Sequence, residues 1–339
     1  MSAQKLSASN LSVRHFWLVA LAALIGVAHA PAARAADAVN VVTPSVVIFA
    51  IPYWIAERQG YFKDEDIAPT LDIEPNGRRI TERLLSGATQ FSLVGPDAVL
   101  IDATRGGPLR ILAGIVRKPP LFLIAKSSIK SFADLRGANI GALSLTEGSS
   151  KLLIKMAKAE GIAAADLKIS AVGGAPARQT LLKDGKIDAG MQPLPLNLEA
   201  EALGFNNLGW AGKYEPDWQF TTVNANGDWA RKNPRTATGF VRALLRGQQF
   251  IWSNPDAAAR IAADALKTDE ALAKRSLAEA IRLGILDPRL DWSELGLRRI
   301  YENMQADGAI PADRTFDPAK VTDAAYLRAA QGSAAASRR

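Results

Sequence analysis

Six times between residues 38 and 204, a short strand-like run ends in a turn and yields to a helical stretch closed by glycine. "AVNVVTPS" (38–45) precedes "PYWIAERQG" (52–60), and "LDIEPNG" (71–77) precedes "RRITERLLSG" (78–87). "QFSLVGP" (90–96) leads into "DAVLIDATRGG" (97–107), and "NIGALSLTEG" (139–148) into "SSKLLIKMAKAEG" (149–161). "LKISAVGG" (167–174) leads into "APARQTLLKDG" (175–185), and "KIDAGMQP" (186–193) into "LPLNLEAEALG" (194–204). Strands joined through helices pair in parallel, and parallel sheets need helices on their faces. The expected class is therefore α/β. Beyond about residue 230 the chain reads as mostly helical, with Ala-rich stretches such as "DAAARIAADALK". The final "QGSAAASRR" (331–339) has the composition of a disordered tail.

Two of the units look alike. At an offset of 97, Gly77 and Gly174, Leu84 and Leu181, Leu85 and Leu182, Pro96 and Pro193, and Ala103 and Ala200 coincide. A few identities arise by chance, so the signal is weak. It suggests two lobes built on one strand–helix plan.

The N-terminus is of another kind. Lys5 and Arg14 form a basic region, "FWLVALAALIGV" (16–27) an apolar one, and Ala33-Arg34-Ala35 a small-x-small cleavage signal. This is the order of a cleavable export signal over residues 1–35, with a membrane anchor or a core helix as the alternatives. There is no twin arginine, and with no cysteine in the chain a lipoprotein anchor has no attachment point. Cleavage removes both histidines, His15 and His29, together with Lys5, Arg14 and Arg34. The remaining 38 basic residues face 34 acidic ones, so the net charge falls from +7 to +4. A processed chain without His or Cys has no histidine base, thiol nucleophile or soft-metal site. No metal or cofactor is expected. The mild, unclustered charge argues against nucleic acid.

Three segments carry a family resemblance. "PYWIAERQGYFKDEDI" (52–67) resembles the opening helix of the periplasmic solute-binding proteins for sulfonates, taurine, nitrate and thiamine precursors, the NMT1/THI5-like family. "SSIKSFADLRGANIGA" (127–142) and "LLKDGKIDAGMQPLP" (181–195) resemble two further segments of that family, in the right order. The resemblance runs from about residue 38 to about 325. It implies a type II binding-protein fold of two lobes, each a mostly parallel sheet covered by helices, with two hinge crossovers. Residues 36–122 and 222–330 would form lobe 1 and residues 123–221 lobe 2, with crossovers near "LFLIAKSS" (121–128) and "WQFTTVNANG" (218–227). It further implies a monomer in the periplasm that closes over a small organic solute and delivers it to an ABC permease in the inner membrane. The rival readings are an enzyme of the same fold and a sensory module for a membrane receptor.

Ligand sites in such sheets lie beyond the strand C-termini. Thr43 and Ser45 end the first strand, Asn76 precedes a helix, and Gly95 and Asp97 flank the turn after the third strand. Thr146, Gly148 and Ser149 lie between a strand and a helix. Ser149 reads from the residues alone as an N-cap; the resemblance turns this turn toward the cleft. Asp97 and Glu147 read as first-turn acids or as contacts to a ligand amine. Gln192 offers a neutral amide at a strand end. Trp210 and the aromatics Phe49, Tyr53 and Trp54 belong either to the core or to the cleft. Arg78, Arg79 and the lysines 151, 155 and 158 read as solvated. The ligand-binding set is thus Thr43, Ser45, Asn76, Gly95, Asp97, Thr146, Gly148, Ser149, Gln192 and Trp210.

Overall fold

The computed structural model describes residues 35–336, apart from Ser144, Thr146 and Glu147. Residues 1–34 of the predicted export signal lie outside the described residues.

The strand–helix units close into two five-stranded sheets. The first contains β1 (Asp37–Thr43), β2 (Ile67–Ile73), β3 (Phe91–Val94), β4 (Leu109–Val116) and β10 (Thr221–Asn226), in the order β2-β1-β3-β10-β4. The second contains β5 (Leu121–Ala125), β6 (Asn139–Ala142), β7 (Lys168–Ala171), β8 (Ala189–Pro193) and β9 (Asn206–Trp210), in the order β7-β6-β8-β5-β9. The two orders are the same plan: second strand, first, third, a crossing strand, then fourth. In each sheet the crossing strand, β10 or β5, pairs antiparallel with both neighbours. The remaining strands all run one way.

Helices α1 (Ile51–Arg58), α2 (Gly77–Ser86) and α3 (Asp97–Thr104) follow the first three strands of the first sheet; α4 (Gly148–Ala159), α5 (Ala175–Lys183) and α6 (Leu196–Ala202) follow their counterparts in the second. The residues at offset 97 fall on this equivalence: Leu84 and Leu85 lie on α2, and Leu181 and Leu182 on α5. Short helix α7 (Ala211–Tyr214) ends the second lobe's share of the chain. Then come α8 (Gly227–Lys232), α9 (Pro234–Ser253), α10 (Pro255–Leu266), α11 (Glu270–Arg282), α12 (Glu294–Ala306), α13 (Pro318–Val321) and α14 (Ala325–Ala336).

Three differences from the sequence reading stand out. Leu121–Ala125 pairs over its whole length with β8 and β9, so the chain leaves the first sheet at residues 117–120, ahead of the expected crossing. The return spans residues 211–220, from β9 to β10. At the C-terminus α14 runs on through residues 331–336, where a disordered tail was expected. Gln331 anchors it, its Nε2 donating to Arg289 O at 2.9 Å and to Asp291 Oδ1 at 3.0 Å.

The first lobe's core is aromatic. Phe91 stacks on Phe240 at 3.9 Å between ring centroids, Phe62 stacks on Phe240's ring at 5.3 Å, and Tyr53 tilts against Phe62. Tyr53 is therefore core, and burial pushes its hydroxyl pKa upward. Phe49 and Trp54 are half-buried against the same core, Phe49 meeting Phe220 edge-on at 5.1 Å.

Candidate functional site

The strand C-termini of both sheets end near the two crossings. On the first sheet, Thr43 Oγ1 donates to Leu93 O at 3.2 Å, tying the end of β1 to β3. Half-buried Ser45 follows in the bend. At Gly95 a Cβ would lie 2.9 Å from Asp97 Oδ2, which can turn aside, and 3.4 Å from Phe220 O. Its glycine lets the turn press against the return crossing. Behind it Ser92, Thr222 and Asn224 form a buried polar ladder that the sequence reading missed. Thr222 Oγ1 donates to Asn224 Oδ1 at 2.6 Å, and Asn224 Nδ2 reaches Ser92 Oγ at 3.3 Å.

Asn76 lies three residues beyond Ile73, the register partner of Thr43. It is exposed, and its Oδ1 accepts from Arg78 N and Arg79 N at 3.0 and 3.2 Å, capping α2. Arg78 and Arg79 are exposed as expected, paired with Glu82 and Glu74.

On the second sheet Gly148 opens α4, and a Cβ there would stand 4.0 Å from the Trp218 ring. The N-terminus of α4 therefore faces the return crossing. Ser149 is the second residue of the helix, 7 % exposed, so it occupies the first turn and not the cap position. Thr146 lies outside the described residues. The lysines are not the solvated face expected. Lys151 Nζ lies 2.8 Å from Asp307 Oδ2 at the end of α12, and Lys155 pairs with Glu215 while lying 5.7 Å from the Trp218 ring centroid. Lys158 alone of the three is exposed.

Gln192, the penultimate residue of β8, is fully buried, with neither side-chain polar atom hydrogen-bonded. Beside it stands Arg178, a residue the sequence reading did not single out. It is 4 % exposed; its Nε and Nη2 donate to Met191 O at 3.2 and 2.7 Å, and Nη1 donates to Gly173 O at 2.9 Å. The stem reaches the strand end by crossing Gly190, where a Cβ would meet Arg178 Cδ at 3.7 Å. A glycine inside a strand marks such close approaches, and Gly190 was the signal available in the sequence.

The crossings are tied together by Gln219, also fully buried. Its Nε2 donates to Val116 O and Thr221 O, both at 3.0 Å, and its Oε1 accepts from Ser293 N at 2.8 Å. Trp210 does comparable work from β9, its Nε1 donating to Pro119 O at 2.6 Å. Its indole N–H is thereby engaged by the first crossing.

A groove of about 260 Å³ lies elsewhere, between Leu198 of α6 and Arg275, Ala278, Glu279 and Arg282 of α11. Its Arg282–Glu279 pair is a helix-surface ion pair, and no buried polar group converges there. No group of His, Cys, Asp and Glu able to hold a metal occurs among the described residues.

Two mostly parallel sheets of one strand order, joined by two crossings, define the periplasmic solute-binding fold of type II. The solved structure of the periplasmic aliphatic sulphonate binding protein SsuA from Escherichia coli shares it, with a TM-score of 0.65 at 17 % identity over 84 % of this chain and 97 % of that one. The NMT1/THI5-like family profile matches residues 49–258, more than half of the chain, and the protein belongs to that family. Among relatives, a Brucella abortus protein assigned a binding role is 24 % identical over 240 residues, covering 67 % of this chain and 73 % of that one. The 4-amino-5-hydroxymethyl-2-methylpyrimidine phosphate synthase THI5 of Saccharomyces cerevisiae is 24 % identical over 225 residues, covering 60 % of this chain and 64 % of the enzyme.

Proposed function

We propose that this chain is the periplasmic solute-binding component of an ABC importer, a monomer that closes two lobes over a small organic solute and presents it to a membrane permease. The lobes would divide at the two crossings, residues 117–120 and 211–220, the export signal being removed first. One observation carries this reading: two lobes of identical strand order turn their strand C-terminal edges toward a shared pair of crossings. Sheet edges of this kind hold ligands between domains, and two connections permit hinge closure. Ser45, Gly95, Asp97, Gly148, Ser149 and Gln192 are the residues placed to meet the solute, with Thr43 shaping the edge.

The similarity to the yeast synthase supports a second reading, an enzyme. Against it, the chain's only histidines are His15 and His29, both within the predicted export signal, and it has no cysteine. Histidine-based proton transfer then has no residue to use.

A thermal-shift screen of sulfonates, nitrate, small carboxylates and nitrogen heteroaromatics tests the proposal. A solute at 100 times its dissociation constant adds about 2.7 kcal/mol, which for a chain of this size raises the melting temperature by about 4 °C. Stabilisation by one class with no turnover of it is the expected result. Conversion of the bound compound would favour the enzyme reading.

A further inference from the structure

A second, polar cavity lies in the first lobe, away from the strand edges. It measures about 180 Å³, and Thr104, Tyr301, Asp313, Arg314, Asp317 and Lys320 are among its walls. Thr104 is the last residue of α3 and Asp97 the first. At 1.5 Å per residue the cavity stands about 10 Å along that helix from the Gly95–Asp97 turn, and none of its residues belongs to the solute-binding set.

The chain itself holds these walls in place. Residues 311–314 lie in an irregular stretch after α12, and one α12 side chain pins them. Gln305 Nε2 donates to Pro311 O at 3.2 Å, to Ala312 O at 3.3 Å and to Arg314 O at 2.7 Å. Phe316 meets the Tyr301 ring edge-on at 5.5 Å, and the Arg298 guanidinium lies 4.9 Å over the Phe316 ring. Asp317 caps α13, its Oδ1 accepting from Ala319 N at 3.0 Å. A wall fixed in advance spares a ligand the cost of ordering it.

Two features set the cavity apart from an ordinary surface dip. Tyr301 is 3 % exposed, and its Oη is buried with no hydrogen-bond partner among the described residues. Buried hydroxyls in native proteins are almost always paired. Burial, first, and Asp313 raise the Tyr301 pKa while Arg314 lowers it, so the hydroxyl keeps its proton and feels both charged groups of the wall. Those charges are the second feature. Among the described residues neither Asp313 nor Arg314 has a side-chain partner, and Lys320 Nζ approaches Asp317 Oδ2 only to 3.9 Å. With two carboxylates and two cations in one wall, a simple anion or a simple cation meets as much repulsion as attraction.

We propose that this cavity binds a small zwitterion, an α-amino acid between glycine and serine in size, with its carboxylate on Tyr301 Oη and the Arg314 guanidinium and its ammonium on Asp313. The site goes beyond the solute-binding reading and does not depend on it. A guanidinium offers a carboxylate two parallel N–H donors, and charge-assisted hydrogen bonds are about twice as strong as neutral ones. A zwitterion therefore gains at both ends, where an uncharged polyol of the same size gains at neither.

Calorimetric titration of the chain with glycine, L-alanine and L-serine, and with acetate, methylammonium and glycerol, tests the site. The expected result is that at least one amino acid binds and that acetate, methylammonium and glycerol bind at least about 10-fold more weakly. Tyr301→Phe weakens the amino acid about 10-fold, through loss of a hydrogen bond to a charged group, and without ligand melts no lower than the parent, because the hydroxyl it removes is unpaired. Arg314→Gln, at an exposed position, weakens the amino acid by a similar factor. Amino-acid binding that both variants leave unchanged puts the zwitterion elsewhere, the cleft included, and overturns the site. A Tyr301→Phe chain that melts lower than the parent without ligand makes the hydroxyl structural and also overturns it. Acetate or glycerol binding as tightly as the amino acids, or no binding of any amino acid, does the same.

Discussion

Single residues carry much of the load where the chain changes lobes. Gln219 makes three buried hydrogen bonds that join the end of β4, the start of β10 and the N-cap of α12. Gln219→Ala leaves Ser293 N–H unpaired and removes one of two bonds to the Val116 carbonyl, which keeps the Phe220 N–H at 2.9 Å, and urea denaturation should show a loss of about 2 kcal/mol. Asp188 is a second such point. Its carboxylate accepts from Lys126 Nζ at 2.6 Å and from Asn139 N at 2.8 Å, and these two bonds, Lys126 first, hold its pKa below the ordinary carboxylate value. The stabilisation is therefore complete above about pH 4, the unfolded value, and disappears as pH falls through the lowered folded one. Asp188→Asn should cost about 1 kcal/mol at pH 7, the pair being part-exposed, and close to nothing at the acid end of a denaturation series. At this scale the sequence was a partial guide. Gln192 and Gly95 were legible as strand-end residues because a turn residue follows a β run. Arg178, Lys151 and Lys155 were not: on a helical wheel a basic residue reads as solvated, and only the packing of one element on another shows where its stem runs.

At the scale of elements, six strand–helix units were readable because their hydrophobic period changes at a turn. β4 and β5 were not, for a physical reason. "LRILAGIV" and "LFLIA" are buried on both faces, so they lack the alternation that marks a half-exposed strand. The crossing strands also break the βα rhythm, since no helix precedes them within their own sheet. Helix packing adds a point test. α9 crosses α1 at Gly247, where a Cβ would fall 2.2 Å from Pro52 O and 3.2 Å from Ala56 N. Both obstacles are backbone, so neither can rotate away. Gly247→Ala should destabilise the first lobe by about 3 kcal/mol through overpacking, read as a lower denaturation midpoint. Gly87→Ala, with open space around it but φ at +78°, should cost about 1 kcal/mol from backbone strain alone.

For the molecule as a whole, the question is how the lobes move. Among the described residues, contacts between them away from the crossings include the Lys151–Asp307 ion pair and α11 packed beside α6. Both would part if the lobes opened about the crossings. Lys151→Ala should weaken solute binding about twofold, an effect that fades in high salt, because a part-exposed pair is worth about 0.5 kcal/mol. Closure itself is open to direct observation. The chain has no cysteine, so Lys158→Cys on α4 and Ala306→Cys at the end of α12 place two spin labels uniquely, on exposed positions in opposite lobes. Electron double-resonance distances between them, taken with and without a solute found by the thermal screen, test the account at its centre. The account predicts a short, narrow distribution with solute and a longer, broader one without it. The same distribution in both samples, with the solute bound, would contradict it.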